Sequence, residues 1–221
     1  METAKGMDEA RQKNGSKGPA QIPKTDTDSR ILPNKEGGDA ANYTPMVTTE
    51  SAGGLIVVSD VVIGNVEHHQ FGTILDVVQN DFDVDVERVM ADSAYTTGEN
   101  LTTAEAKNVE LIGPLAERCR KNLDSKRGRE VMHDEHEGAR RRQRERMKRP
   151  VAQAAYSRRQ HAGEVPFAVI KTRFDMRRFL LRGIEGVGQQ WRWASTGFNL
   201  LKLMGRWSKV RAPRDLQPEV R

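Results

Sequence analysis

The run Arg88-Val-Met-Ala-Asp92-Ser-Ala-Tyr95-Thr-Thr-Gly98 constrains the chain most, because a short apolar segment delivers one carboxylate to its end and then meets a tight polar turn. A strand of Val89, Met90 and Ala91 buried in a sheet cannot hold an ionised side chain inside. Asp92 is therefore expected at the strand's C-terminal edge, where open α/β sheets place ligands. The same residues fit a simpler role, since a strand-terminal Asp followed by Ser is an ordinary turn starter.

The neighbouring segments supply a sheet and its covering helices. Tyr43 to Thr49 alternates loosely, Gly53-Gly54 gives a turn, and Leu55 to Ile63 is rich in β-branched residues, which predicts a hairpin whose second strand is central. Phe71, Ile74, Leu75 and Val78 then recur at helical spacing, and Asn80 to Asp85 closes that helix with turn residues. After the Asp92 strand come a helix over Asn100 to Lys107 and a short strand, Val109 to Ile112, ended by Gly113-Pro114. This order implies an α/β fold with a mixed sheet and flanking helices.

The termini and the second half read differently. Residues 1–38 lack apolar periodicity and are expected to be a disordered or extended arm. Residues 117–150 form a basic linker, and the basic residues between Ala139 and Arg149 surround every helical face, so packing is not expected to hold them helical; nucleic-acid contact is the minority reading of that run. Pro150 interrupts, a helix restarts around Ala152 to Arg159, breaks near Gly163 and Pro166, and resumes through Phe167, Val169 and Ile170. Phe179 to Trp207 carries apolar residues suited to one long helix or two, and residues 208–221 form a tail.

Of 221 residues, 36% are hydrophobic and 30% charged, which suits a smaller core with solvated segments. The net charge of +5 hides an asymmetry: Met1 to Ile112 carries 9 Lys and Arg against 19 Asp and Glu, and Gly113 to Arg221 carries 27 against 12. An acidic half can hold divalent cations and a basic half can neutralise phosphates. No apolar run reaches the roughly 20 residues that span a bilayer, and Met1 to Gly6 has no signal-peptide core, so a cytoplasmic protein with no membrane partner is expected. The single cysteine, Cys119, excludes an internal disulfide and a cysteine-cluster zinc site.

A second acid stands out at Glu164, set among Arg158, Arg159, Lys171, Arg173, Arg177, Arg178 and Arg182. A carboxylate that holds a metal beside cations that grip phosphates is the arrangement phosphoryl transfer needs. On the residues alone, Glu164 complementing the positive N-terminus of the helix that starts near Pro166 is the favoured reading. His68, His69, His133 and His136 fit solvated histidines better than metal ligands. Asp81, Asp83 and Asp85 lack the glycine and distal glutamate of a calcium loop.

Met90-Ala-Asp92-Ser-Ala-Tyr95-Thr-Thr-Gly98-Glu-Asn-Leu101 resembles the segment around the second catalytic aspartate of bacterial insertion-sequence DDE transposases. Tyr156, Arg159, Glu164 and Lys171 resemble the signature around that family's final acid, and Arg177-Arg178-Phe-Leu-Leu-Arg182-Gly183 resembles the family's stretch just beyond that acid. Leu32 to Gly38 and Ala41 to Pro45 resemble the family's lead-in. The resemblance implies a ribonuclease-H-like fold over residues 39–207, incomplete at its N-terminal strand. It implies two magnesium or manganese ions, with Asp92 and Glu164 as catalytic and metal-binding residues, and Tyr156, Arg159, Lys171, Arg177, Arg178 and Arg182 on DNA. The activity implied is metal-dependent cleavage and strand transfer of insertion-sequence ends, with transposon ends and target DNA as partners. A homo-oligomer stays open. The family's first aspartate has no counterpart in residues 1–38: Asp60 aligns with a later, non-catalytic position, and Glu50 is weaker still. The chain is thus expected to be an N-terminally truncated, internally deleted and inactive copy, or a non-catalytic DNA-binding remnant.

Overall fold

The computed structural model describes residues 23–33, 37–64, 67–116 and 135–211. Residues 1–22 of the expected arm, 117–134 of the expected linker with Cys119 and His133, and 212–221 of the expected tail lie outside the described residues. Strands β1 (Arg30–Pro33) and β2 (Asp39–Asn42) pair antiparallel, as do β3 (Thr44–Thr49) and β4 (Ile56–Val62), whereas β5 (Arg88–Met90) and β6 (Glu110–Ile112) pair parallel. The helices are α1 (Phe71–Phe82), α2 (Gly98–Ala106), α3 (Glu137–Lys148), α4 (Pro150–Ser157), α5 (Val165–Arg173) and α6 (Ile184–Arg211). A 3-10 turn, Glu67–Gln70, leads into α1, and a π-helical turn, Gln160–Glu164, joins α4 to α5.

The class is mixed α/β as expected, but the single mixed sheet is replaced among the described residues by three two-stranded ladders. Side chains take the hydrogen bonds that further strands would make. Asn199 of α6 donates to the Ile56 carbonyl and accepts from the Ile56 amide, both at 2.8 Å, so β4 is edged by a side-chain amide instead of being central. The Met46 carbonyl of β3 accepts the Trp191 indole N–H at 2.9 Å. Between β3 and β5 the link is a side-chain one, the Tyr95 hydroxyl on Met46 Sδ at 3.6 Å. Within the expected disordered or extended arm, Arg30–Pro33 is a strand paired with β2.

Two apolar clusters hold these pieces. In one, Tyr43, Ile56 and Val61 of the hairpin region pack with Ile170 of α5 and Val187, Trp191 and Phe198 of α6. In the other, Phe71 and Leu75 of α1 meet Leu101 and Ala104 of α2, Leu111 of β6 and Ala139 of α3. The basic helix therefore does have a packing face, contrary to expectation: Ala139 and Gln143 are buried, and Gln143 donates to the Gly113 carbonyl at 2.6 Å. The end of the chain is one helix, Ile184–Arg211, and not two; residues 179–183 are irregular. No helix among the described residues is long and apolar enough to cross a membrane.

Glu50, the weaker of the two candidate first acids, is spent on the hairpin turn. Its carboxylate accepts the backbone N–H groups of Ala52, Gly53 and Leu55 at 2.7, 2.8 and 3.1 Å. Burial alone would raise its pKa, but those donors and the Arg206 guanidinium hold it below the usual carboxylate range. A depressed folded-state pKa gives stability that is present above the unfolded value and is lost as pH falls through the folded one. Glu50→Gln is thus expected to cost on the order of 1 kcal/mol at pH 7. In denaturant titrations the gap from the unmodified chain should close as pH falls below the carboxylate range; a gap independent of pH would contradict the carboxylate's role.

Candidate nucleic-acid and metal site

Asp92 lies where the sequence places it, immediately beyond β5. The parallel pairing continues for one residue, with Ala91 N donating to the Ile112 carbonyl at 2.9 Å, and then the chain turns. Asp92 Oδ1 accepts from Ala94 N at 2.9 Å and its carbonyl accepts from Tyr95 N at 3.2 Å, so the turn-starter role is realised. The turn is closed from below by the fully buried Thr96, whose hydroxyl contacts the Ser93 and Pro114 carbonyls at 3.1 and 2.5 Å. Gly113 packs so close that a Cβ there would meet the Ala91 carbonyl at 2.5 Å. Thr97 then caps α2 by accepting from Asn100 N at 3.2 Å.

Tyr95 is half-buried beside this turn. Burial first, then the negative charges of Glu67 and Asp92, push its hydroxyl well above the ordinary phenol range. Glu67, His68, Ser93, Ala94, Thr97 and Arg140 contribute to the lining of an open cavity of ≈ 680 Å³ next to it.

Glu164 closes the π turn on the other cluster. The turn does not break the helical path, since Arg159, Glu164 and Val165 all keep right-handed helical angles. Thr49, at the bulge of β3, donates its hydroxyl to the Ala162 carbonyl of that turn at 3.2 Å. The expected break near Gly163 is thus a widened turn held from β3. Glu164 stands at the N-cap position of α5, at the positive end of that helix, and its side chain makes no capping hydrogen bond. Its exposed carboxylate instead faces Arg159, with Nη2 to Oε1 at 3.5 Å, and the Arg159 guanidinium lies over the Tyr156 ring at 5.4 Å from the centroid. Arg159 Nε is buried and has no acceptor.

Lys171 lies two helical turns beyond Glu164, exposed on α5. The loop after α5 exposes Arg177, Arg178 and Arg182 while its backbone is pinned. Met176 N donates to the Ile170 carbonyl at 3.2 Å, and Leu180 N and Leu181 N share Gln190 Oε1 at 2.9 and 3.1 Å. Gly183, at φ +72, donates to Asp26 Oδ1 at 3.3 Å, and Ile184 N to Asp28 Oδ2 at 3.1 Å. Two acids of the supposed arm therefore cap the positive end of α6 and fix the arginine loop. Asp26 also accepts the Tyr43 hydroxyl at 2.6 Å. Sequence reading missed Asp26, Asp28, Gln190 and Thr49, because none lies near its partner along the chain.

The basic run on α3 is used differently. Arg142 makes a two-point contact with Glu105 at 2.6 and 2.9 Å, Arg141 pairs with Glu137, and Lys148 with Glu145 at 2.6 Å. Arg146 reaches Gln143 Oε1 at 2.5 Å and the Leu111 carbonyl at 3.3 Å. These contacts spend much of the charge within the protein. Of the expected site residues, Tyr156, Arg159 and Glu164 are brought together, and Asp92 makes its contacts within its own turn. Among the described residues, no group of three or more His, Cys, Asp or Glu is placed to hold a metal ion.

Residues 113–204 match the family model described as a transposase DDE domain. The matched stretch contains Tyr156, Arg159, Glu164, Lys171, Arg177, Arg178 and Arg182, and Asp92 lies upstream of it. Comparison with curated proteins and with solved structures gives no match.

Proposed function

We propose, from the match of residues 113–204 to the transposase DDE domain model, that the chain is a partial copy of an insertion-sequence transposase, an enzyme acting on DNA by metal-dependent phosphoryl transfer at transposon ends. A ribonuclease-H-like core with Asp92 and Glu164 as its carboxylates is part of that reading. The observation that carries it is the Tyr156–Arg159–Glu164 constellation inside the matched stretch, with Lys171 and the pinned arginine loop following it.

Oxygen donors suit magnesium or manganese, and Asp92 and Glu164 would supply them. When bound, such ions polarise the scissile phosphate and lower the pKa of an attacking water or hydroxyl. The protein's own residues do the rest. Arg159 neutralises phosphate charge beside Glu164, the Tyr156 ring offers a face to a base or sugar, and Lys171, Arg177, Arg178 and Arg182 hold flanking phosphates. In the presence of magnesium and duplex carrying the element's ends, any nicking and joining that a partial copy retains is expected to depend on both carboxylates. Asp92→Asn and Glu164→Gln should each lower the rate by about a hundredfold or more, the size typical of removing one electrostatic stabiliser. Activity that survives both changes would overturn the assignment.

A second reading is favoured by the exposed arginine loop, whose pinned backbone serves phosphate binding whether or not the carboxylates react. The chain then acts as a non-catalytic DNA-binding protein. Salt-dependent binding that is unchanged in Asp92→Asn and Glu164→Gln, without cleavage, selects this reading.

A further inference from the structure

The inner face of α6 is occupied: Val187, Trp191 and Phe198 lie in the core, and Ser195 and Asn199 bond to Ser59 and Ile56 of β4. Its outer face carries a second apolar stripe. Trp193, Leu200, Leu203 and Met204 recur at helical spacing and stay between 45% and 69% exposed. Large apolar side chains gathered on an outward face mark an interaction surface. From Gly186 to Arg211 the helix holds five Lys and Arg and no Asp or Glu. A partner for this face must be apolar at its centre and acidic at its rim, and like charge disfavours a second α6 in that place.

A surface of that kind stands at the end of α1. From Asp81 to Glu87 acidic and apolar residues alternate. Asp81, Asp83, Asp85 and Glu87 are exposed, with no ion pair among the described residues, and Phe82 and Val84 between them are 49% and 46% exposed. The tip is pre-formed: Asp83, at φ +49, ends α1 by donating its N–H to the Gln79 carbonyl, and Val84 N donates to the same oxygen at 3.3 Å. Both patches are exposed in the single chain, so they do not cover each other within it. We propose that the Asp81–Glu87 tip of one copy docks on the outer face of α6 of a second copy. Phe82 and Val84 then cover the stripe between Trp193 and Met204, and the acids face Arg192 and Arg206 at its flank. Arg192 is open to such a contact, since it meets Asp60 only at 3.9 Å with both side chains more than half exposed. Charge selects the occupant: the contact joins the acidic half of one chain to the basic half of another. It does not depend on the reading that the chain acts on DNA.

Sedimentation of the full chain, freed of nucleic acid, over a concentration series tests the contact. The unmodified chain should associate, and more weakly as salt rises. One variant reverses the tip with Asp81→Lys, Asp85→Lys and Glu87→Lys, leaving Asp83 in its left-handed position. The other reverses the helix face with Gln189→Glu, Arg192→Glu and Thr196→Glu, all exposed, and keeps Lys202 and Arg206 on the Glu50 turn. Each should weaken association by about a hundredfold or more while keeping the circular dichroism of the unmodified chain. Mixed one to one, the two variants should associate again, because the lysine tip of one meets the glutamate face of the other. Association that survives reversal of the tip would overturn the proposal and assign the stripe to a second α6. Folded variants that stay apart in the mixture would overturn it too. So would a chain that is monomeric at every concentration and binds phosphatidylserine vesicles through α6, which would assign the stripe to a lipid surface.

Discussion

Replacing Trp191 by alanine is expected to lower the stability of the protein by roughly 3–5 kcal/mol, the cost of deleting a large buried aromatic. Trp191 is only 3% exposed, stacks on Phe167 at 5.5 Å between centroids, and meets Phe179 edge-on at 6.3 Å. It therefore joins α5, the arginine loop and α6 in a single contact. Its indole N–H also satisfies the Met46 carbonyl on β3, and an orphaned buried carbonyl adds about 1–3 kcal/mol. Trp191→Phe keeps most of the ring and removes the donor, so it isolates the second contribution. Chemical denaturation should rank the variants with alanine far below phenylalanine. For a domain whose whole stability is about 5–15 kcal/mol, the alanine variant is expected to be largely unfolded in mild denaturant. Trp193, 69% exposed on the same helix, is the control: Trp193→Ala should fall within about 0.5 kcal/mol of the unmodified chain. Equal losses at the two positions would show that the hairpin and α6 are not held as described.

Local pattern predicted local structure well. The hairpin, α1, the β5 strand with Asp92 at its end, α2 and β6 arise from alternation, helical spacing and turn residues, because each signal lies within the element it specifies. The failures were of two kinds. The basic run on α3 was read as unable to pack, since its arginines encircle the helix, yet two small or neutral positions, Ala139 and Gln143, suffice to seat it while the long side chains reach outward to Glu105 and Glu137. The second kind was partnership at long sequence separation. Asp26 and Asp28 look like solvated residues of an arm, and only the fold brings them to the amides that open α6. The candidate site was legible as two clusters, and Tyr156, Arg159 and Glu164 do meet. The contacts that hold those clusters in place were not.

Removing the charges of the pinned loop should change how DNA binding responds to salt. Each phosphate neutralised on a duplex contributes about −0.9 to the slope of log K against log salt concentration. If Arg177, Arg178 and Arg182 each hold one phosphate, the triple change to glutamine should flatten that slope by about 2.7. The unmodified chain should then bind far better than the variant in dilute salt, and the two should converge as salt rises. Arg141→Gln with Arg142→Gln is the matched comparison. Those residues lie in the longest basic run, but they already face Glu137 and Glu105, so DNA would have to displace an internal carboxylate to use them. Exposed pairs of this sort are worth about 0–1 kcal/mol, so the competition is real but not prohibitive. The slope is therefore expected to change little in the α3 double variant and strongly in the loop variant. Fluorescence anisotropy of a labelled duplex across a salt series reads both. The opposite ranking would move the DNA surface from the loop after α5 to α3. It would also weaken the reason for placing duplex beside Glu164, leaving Arg159, at 3.5 Å from that carboxylate, as the described cation in contact with it.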